Sequence, residues 1–524
     1  MKKIIVTEKI SDKGLEILKQ AQDAQVDMCF DLSREELLKV IPEYDAIIVR
    51  SYTQINEELY QHAKKLKVAG RAGNGVDNIE LEGATKRGII VVNTPEANIV
   101  STAELTISHL LSSSRNIIEA NGRVNNKVWD RKGIQGSEIA NKTLGIIGLG
   151  RIGSLVATRL KAFDMRVIAY DPYISDNRFK KLGVEKCNTL DELLKQVDYL
   201  TIHTPKTEET FNMISDAELA KVKKGLRIVN CARGGLINEQ AVVKAMNDGI
   251  VASAAFDVLL DEPKVISPLV GVKNTVLTPH CGADTKEAQD NVGATIAREV
   301  LAALRGEFVP AVNLPTLQPQ DLGVVRNYLQ LCEFLGKIYY QLEKDLVEKV
   351  EISYQGLEEM DTSMLSRAVM KGLFEPILKE RVNYVNAMVT AEARGVVVEE
   401  SIGQTTGKYM TLIKVNIISK SKVFTVSGTV FGKSEIRVLE IDGYEFDLPP
   451  SPFMLVAQNY DKPGIIGQIG TLLGASKVNI ATMQVSRKKD SAMMFMTVDE
   501  EVNKATIDII RGLDGILRMN LVKF

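Results

Sequence analysis

One stretch narrows the fold of this chain more than any other: Thr143-Leu144-Gly145-Ile146-Ile147-Gly148-Leu149-Gly150-Arg151-Ile152-Gly153. An apolar strand runs into GLGRIG, an amphipathic segment follows over 154–163, and a second apolar strand over 166–170 ends at Asp171. A bare GxGxxG occurs by chance in many chains. Strand, glycine turn, helix, strand and acid in that order is the context a dinucleotide needs. Gly148 permits the tight turn, Gly150 lets the backbone approach a pyrophosphate, and Gly153 lets the helix pack close to the strand. The free N–H groups at the helix start, around Arg151 and Ile152, then face the phosphates. Asp171 is placed to accept hydrogen bonds from the adenosine ribose, and its charge repels a 2′-phosphate. The expected cofactor is therefore NAD rather than NADP.

The rest of the composition removes other classes. At 524 residues, the length predicts about three or four domains. A net charge of −2, with no basic run, offers nothing to a nucleic acid. No apolar run is long enough to span a bilayer. The start, MKKIIVTEKISDKG, mimics a signal n-region, but its apolar run stops after a few residues. Cys29, Cys187, Cys231, Cys281 and Cys332 are scattered without metal spacing, which fits free thiols in a reducing cytoplasm. With only four histidines, no metal site is expected.

Strands and helices alternate from the start. IIVTEK, VDMCF, AIIVRS, KVAGRAG and GIIVVNTP read as strands, with helical DKGLEILKQA, REELLKVI and NEELYQHAKKL between them. After a helix over 101–116, the glycine loop opens a second α/β unit with strands TLGIIGLG, RVIAYD, DYLTIHT, LRIVNC, VASAAFDV and TVLTPH. A long helix over 285–305 closes it and is expected to return to the first unit. The reading is α/β: two Rossmann-like doubly wound parallel-sheet domains, at 1–97 with 286–312 and at 98–285. A proline-bearing linker over 313–322, helices over 324–346 and a mixed region make an α+β regulatory domain over 313–450. The last part, 451–524, has the βαββαβ order of a ferredoxin-like module, whose size suits ligand sensing rather than catalysis.

Alcohol oxidation by NAD needs a base for the hydroxyl proton, a cation for the substrate and a group that orients the base. In an open α/β sheet these belong just past the carboxyl ends of strands. His62, in HAKKLK, reads as solvated surface, and His109, in AELTISHLL, as a packing position. His203 and His280 both follow strands. His280, before the small CGAD, is the better-placed base, and His203, in HTP, the better cofactor-pocket residue. Arg233 leaves the strand LRIVNC ahead of Gly234 and Gly235, where a guanidinium can grip a carboxylate with two parallel bonds. A surface turn arginine is the plainer reading of the same position. Glu262, in DEP, is the candidate partner of His280, with Asp257 and Asp261 as competitors. No GxSxG, Walker, HExxH or CxxC pattern offers another chemistry.

The series GLGRIG, Asp171, CARGG, DEP and PH resembles the NAD-dependent D-2-hydroxyacid dehydrogenases. Within them it is similar to the long bacterial branch that acts on D-3-phosphoglycerate. GRAGNGVDNIELEGATKRGIIVVNTPEAN, VNCARGGLI and HCGADTKEAQ carry the likeness in the first part. KGLFEPI, RVNYVNAM and GTVFGKSEIRVLEIDGY resemble the branch's intervening domain, and NYDKPGIIGQIGTLLGASKVNIATMQVSR an ACT domain. The resemblance implies His280 as acid/base, Glu262 as its partner and Arg233 as substrate anchor. It implies a cofactor wall of Gly148, Gly150, Arg151, Ile152, Gly153, Asp171, His203, Thr204, Pro205, Cys231, Ala232 and Asp257. It also implies substrate contacts from Arg50, Ser51, Arg71, Asn74 and Gly75, with Gly73 beside them. Arg131, after Trp129, is expected to reach a neighbouring subunit of a homo-oligomer, a tetramer. A trianionic substrate needs several cations, and Arg50 and Arg71 both leave apolar strands. The implied reaction is oxidation of D-3-phosphoglycerate to 3-phosphohydroxypyruvate, the first step toward L-serine, with no nucleic-acid or membrane partner. The alternatives are a dehydrogenase for another D-2-hydroxy acid and an NAD-sensing corepressor-like protein. Asp461 and Asn479 fit the ACT pattern that contacts L-serine, whereas Asn459 stands where the family commonly has His. Cys281 and Asp284 replace a common leucine and serine, and the segment between Pro263 and Asn274 is short.

Overall fold

A computed structural model describes residues 1–315, 322–404, 407–432 and 434–524. The first sheet is parallel, in the order Ala24–Met28, Lys2–Val6, Ala46–Val49, Val68–Arg71, Ile90–Val92. Ile4, Ile5, Ile47 and Ile48 are wholly buried, because helices cover both faces and alternating polarity would strand charges in the core. One cover is the helix Lys286–Leu304, which comes from far along the chain and packs Val292, Ile296 and Val300 against Ile4, Ile48 and Val68. It crosses the helix Asp12–Gln20 at two glycines. A Cβ on Gly14 would stand 2.5 Å from the Gly293 carbonyl oxygen, and one on Gly293 would stand 2.3 Å from Ser11 Oγ. Ser11 caps its own helix by accepting the Gly14 N–H, so a methyl at position 293 meets groups that cannot retreat. Gly293→Ala is expected to cost about 1–3 kcal/mol, read as an earlier denaturant transition of the first unit. Gly122→Ala, on a helix with open space around it, is the control and should be neutral or slightly stabilising.

The second sheet has seven parallel strands, in the order Thr275–Leu277, Val251–Phe256, Leu226–Asn230, Tyr199–Ile202, Thr143–Ile147, Arg166–Tyr170, Glu185–Lys186. The strand order reverses between Thr143–Ile147 and Tyr199–Ile202, which opens the crevice where this topology binds ligands. The chain enters this unit through the helix Ile99–Arg115 and leaves it through Thr285. The two passages touch: Ser101 Oγ lies 2.7 Å from Thr285 Oγ1, and Thr102 Oγ1 donates to the Gly282 carbonyl at 3.3 Å.

A third, mixed sheet runs Val397–Gly403, Val347–Gln355, Leu412–Ser419, Val423–Phe431, Glu435–Ile441, Tyr444–Leu448. Its first pair is parallel and the rest are antiparallel. The helices Leu322–Lys337 and Ser363–Leu378 cover it. The helices expected over 324–346 are Leu322–Lys337 and Tyr339–Leu342, and of the expected linker, 316–321 lie outside the described residues. The last sheet is antiparallel, in the order Ile480–Lys488, Ser491–Val498, Phe453–Tyr460, Ile516–Lys523. With the helices Ile465–Ala475 and Lys504–Arg511, this is the ferredoxin-like βαββαβ topology. The molecule is thus an α/β protein with a mixed-sheet unit and an ACT-like end. Among the described residues no helix is long and apolar enough to cross a membrane, and no acidic, His or Cys group could hold a metal.

Candidate active site

The glycine loop is built for a close-approaching anion. Gly148 has φ +89°, and a Cβ on it would lie 2.7 Å from the His203 carbonyl oxygen. A Cβ on Gly153 would be 2.2 Å from the Gly148 carbonyl, so the helix Arg151–Lys161 sits directly on the turn. Gly150 faces open space, and no side chain caps the helix start. Arg151 reaches across to Glu96 at 2.9 Å, while Ile152 is half-buried beneath the loop. Asp171 ends the neighbouring strand, its oxygens accepting the N–H groups of Leu149 (2.8 Å) and Tyr173 (3.0 Å), which fixes it beside the loop.

Across the crevice, the buried Thr204 Oγ1 and His203 Nδ1 have no protein partner, as expected of groups that face a bound molecule. Pro205 beside them is exposed, and its carbonyl accepts the Thr210 hydroxyl at 2.7 Å. The half-buried Ala232 and buried Cys231 complete this wall, burial pushing the Cys231 thiol well up. These features fit an NAD. Burial also pushes the His203 imidazole down to about 4. Acidification below the ordinary value of 6.5 therefore meets a fold that refuses this proton, so His203 stays neutral and weakens the fold rather than charging. His203→Asn is expected to leave the acid limb of the kcat/KM profile unchanged between pH 7 and 5. A limb that moved with this substitution would transfer the base role to His203.

The structure brings His280 and Glu262 together: Nδ1 lies 2.6 Å from Oε2, and the other Glu262 oxygen accepts the Leu259 N–H at 3.1 Å. With Nδ1–H donated to the carboxylate, Nε2 keeps its lone pair toward the cleft. His280 has φ +52°, unusual for a side chain of this size. Asp257 holds that backbone. Its carbonyl accepts the His280 N–H at 2.8 Å, and its carboxylate accepts the N–H groups of Cys281 (2.9 Å) and Gly282 (2.8 Å) and the Thr278 hydroxyl (2.5 Å). Asp257, which the resemblance places in the cofactor wall, is 1% exposed, and its carboxylate makes these bonds inside the His280 loop. His109, expected only to pack, reaches Thr278 Oγ1 at 2.9 Å from the helix Ile99–Arg115, with burial lowering its pKa.

The cations converge from both units. Arg233 Nη1 donates to the Ala232 carbonyl at 2.7 Å, and its Nε lies 3.6 Å from Asp77 Oδ2 of the first unit. A Cβ on Gly75 would stand 2.2 Å from Arg233 Nη2, so only glycine lets the guanidinium lie against that loop. Asn74 offers its carbonyl to Asn93 Nδ2 at 2.6 Å. Arg71 is half-buried and crosses Gly73, whose Cβ position it occupies, with its Nε unpartnered. Burial lowers the Arg71 pKa, and Arg233 and Arg50 lower it further, which marks the three guanidiniums as one cluster. Arg50 Nη1 touches the Lys9 carbonyl at 3.4 Å, and Ser51 is exposed beside it. Asp77 and Glu8 are the residues sequence reasoning missed. Both are single acids in otherwise ordinary loops, and only the fold sets them against the arginines.

The ACT residues are not gathered into one site within this chain. Asn459 is buried, donates to the Tyr460 carbonyl at 2.7 Å and has Oδ1 unpartnered. Asp461 pairs with Arg487 at 3.4 Å, and Asn479 donates to Asp499 at 2.7 Å. No hydrogen bond joins the three.

Comparison with known proteins decides the family. Residues 107–282 match the D-isomer specific 2-hydroxyacid dehydrogenase NAD binding domain, 324–442 the D-3-phosphoglycerate dehydrogenase intervening domain, and 453–515 the ACT domain. A D-3-phosphoglycerate dehydrogenase of Archaeoglobus fulgidus is 40% identical over 99% of this chain and 100% of its own. The chain belongs to the D-3-phosphoglycerate dehydrogenase family. A Bacillus subtilis member is 38% identical over 100% of this chain and 99% of its own. Among solved structures, the TT0316 protein of Thermus thermophilus shares 32% identity at a TM-score of 0.54, covering 59% of this chain and 99% of that one. An Aquifex aeolicus D-lactate dehydrogenase complexed with NAD and lactic acid shares 26% at 0.52, covering 58% and 96%. The resemblance and the NAD cofactor read from GLGRIG both hold. In this dehydrogenase family, the glycine loop and His203–Thr204 are the parts of this chain that would hold the dinucleotide.

Proposed function

We propose that this protein oxidises D-3-phosphoglycerate to 3-phosphohydroxypyruvate with NAD, opening the phosphorylated route to L-serine. The observation that carries the reading is identity of about two residues in five with named members over the whole chain, the two regulatory parts included. The clustering of Arg50, Arg71 and Arg233 supports a substrate with both a carboxylate and a phosphate, against an unphosphorylated 2-hydroxy acid. NAD, when bound, supplies the hydride acceptor. The chain's own residues do the rest. Arg233 and the Asn74–Gly75 backbone hold the carboxylate, while Arg50, Ser51 and Arg71 take the phosphate. His280 Nε2 takes the hydroxyl proton, and Glu262 fixes the tautomer and stabilises the imidazolium that forms. Asp257 and Thr278 keep the His280 loop in its left-handed turn.

The finer reading is a cytoplasmic homotetramer that binds L-serine at its ACT ends. The helix Ile117–Asn125 buries no residue of its own, Ile117, Ile118, Val124 and Trp129 are exposed on and after it, and Ile118, Asn116, Arg123 and Lys273 line a cavity of about 550 Å³ beside it. A second copy is the natural cover for such an arm, and it would carry Arg131 toward a neighbouring cleft. Asp461 and Asn479, exposed on the ACT surface, support an effector held between copies. The test is NADH formation from a panel of 2-hydroxy acids, with and without L-serine. Strong preference for the phosphorylated acid is expected, and equal rates with glycerate would sink the assignment.

A further inference from the structure

The loop that follows the strand Ala46–Val49 is fastened by one side chain from the loop after the strand Lys2–Val6. Glu8 Oε1 accepts the N–H groups of Arg50 (3.0 Å) and Thr53 (2.8 Å), and Oε2 accepts those of Ser51 (3.1 Å) and Tyr52 (3.2 Å). Four consecutive amides converging on one carboxylate form an anion nest, and here the anion belongs to the protein. The carbonyls of the same loop are held as well: Asn78 Nδ2 donates to those of Arg50 (3.0 Å) and Thr53 (2.7 Å). Thr7 Oγ1 lies 3.0 Å from Thr53 Oγ1. The amide bonds outweigh the burial of Glu8 and leave its carboxyl below the usual range, so it is ionised at neutral pH.

We infer that Glu8 is the positioning residue of the phosphate subsite, filling the amide nest of residues 50–53 so that Arg50 and Ser51 present side chains, not backbone, to the substrate. This rests on the reading above that Arg50, Ser51 and Arg71 take the phosphate. With the nest filled, a phosphate is kept at side-chain distance from the loop, and the Arg50 guanidinium has a fixed base from which to meet it together with Arg71. Glu8 also sits in the field of the cationic cluster, so it offsets part of the repulsion among Arg50, Arg71 and Arg233 before substrate arrives.

The test compares Glu8→Gln, Glu8→Ala and Arg50→Ala, measuring kcat and KM with D-3-phosphoglycerate and with D-glycerate. Glu8→Ala is expected to raise KM for the phosphorylated acid by about tenfold or more, with kcat little changed and the D-glycerate values unmoved, because misplacing a substrate-holding group by about an ångström has effects of this order. Glu8→Gln keeps one acceptor oxygen and should fall between. Inorganic phosphate should inhibit Glu8→Ala more strongly than the parent, since the emptied nest is open to it. Equal losses on both substrates, or no loss on either, would overturn the inference. If Arg50→Ala fails to separate the two substrates, it is the placement of the phosphate that is wrong. If Arg50→Ala separates them and neither Glu8 variant does, the role of Glu8 alone falls.

Discussion

Replacing His280 by Asn is expected to lower kcat/KM by about two to four orders of magnitude, the usual worth of a positioned general base. The imidazole at 2.6 Å from Glu262 is the one ring in the cleft with both an orienting carboxylate and a free nitrogen. Oxidation requires that nitrogen unprotonated, so the parent rate rises with pH along its acid limb and the variant loses the limb as well as the rate. NAD affinity, measured by quenching of protein fluorescence or by calorimetry, should be unchanged, because the glycine loop and the Thr204 wall do not involve this ring. Turnover close to the parent value would remove His280 from the mechanism.

Arg233→Lys should be nearly as damaging. The guanidinium spans the cleft: one nitrogen donates to Ala232, another faces Asp77, and a third lies against Gly75. An ammonium keeps the charge but has no planar fork to grip a carboxylate while holding those contacts. Loss of one bidentate, charge-assisted grip is worth about 2–4 kcal/mol, or roughly 30- to 1,000-fold in kcat/KM. The loss should fall on every 2-hydroxy acid alike, because all carry the carboxylate. That uniformity, read from the same substrate panel, separates this site from the phosphate subsite.

Much of the fold was legible because the first two sheets are buried on both faces. Runs such as GIIVVN and TLGIIG have to be apolar throughout, and they stand out from their helical neighbours. The third sheet was harder to read. Val347–Gln355 and Leu412–Ser419 each bury alternate residues, and that weaker period-two signal is diluted by Lys, Glu and Asn on the open face. At the site, His280 and Arg233 stood out because each follows a strand beside small residues, whereas Glu262 was one of three nearby acids, and the roles of all three came from the family resemblance. The loop-holding part of Asp257 was not legible, because a carboxylate at a strand end looks the same whether it faces a ligand or its own loop. The bonds it accepts from the Cys281 and Gly282 N–H groups and the Thr278 hydroxyl exist only once the His280 turn has formed. Glu8 and Asp77 carried no pattern at all, since their meaning lies in Arg50, 42 positions from Glu8, and in Arg233, far along the chain from Asp77.

The two passages between the first and second units have a mechanical consequence. The chain crosses once before the helix Ile99–Arg115 and returns once after His280, and Ser101 and Thr285 clasp the crossings side by side. A change of angle between the units would pivot near that clasp, like a book turning on its spine. His280 and Gly282 sit within a few residues of the spine, and Arg50 and Arg71 lie out on the opposite page. In such a pivot the base would keep its station near the glycine loop, while the arginines would swing through a larger arc. Proton transfer and phosphate capture are in this way given separate demands, stillness for the one and reach for the other.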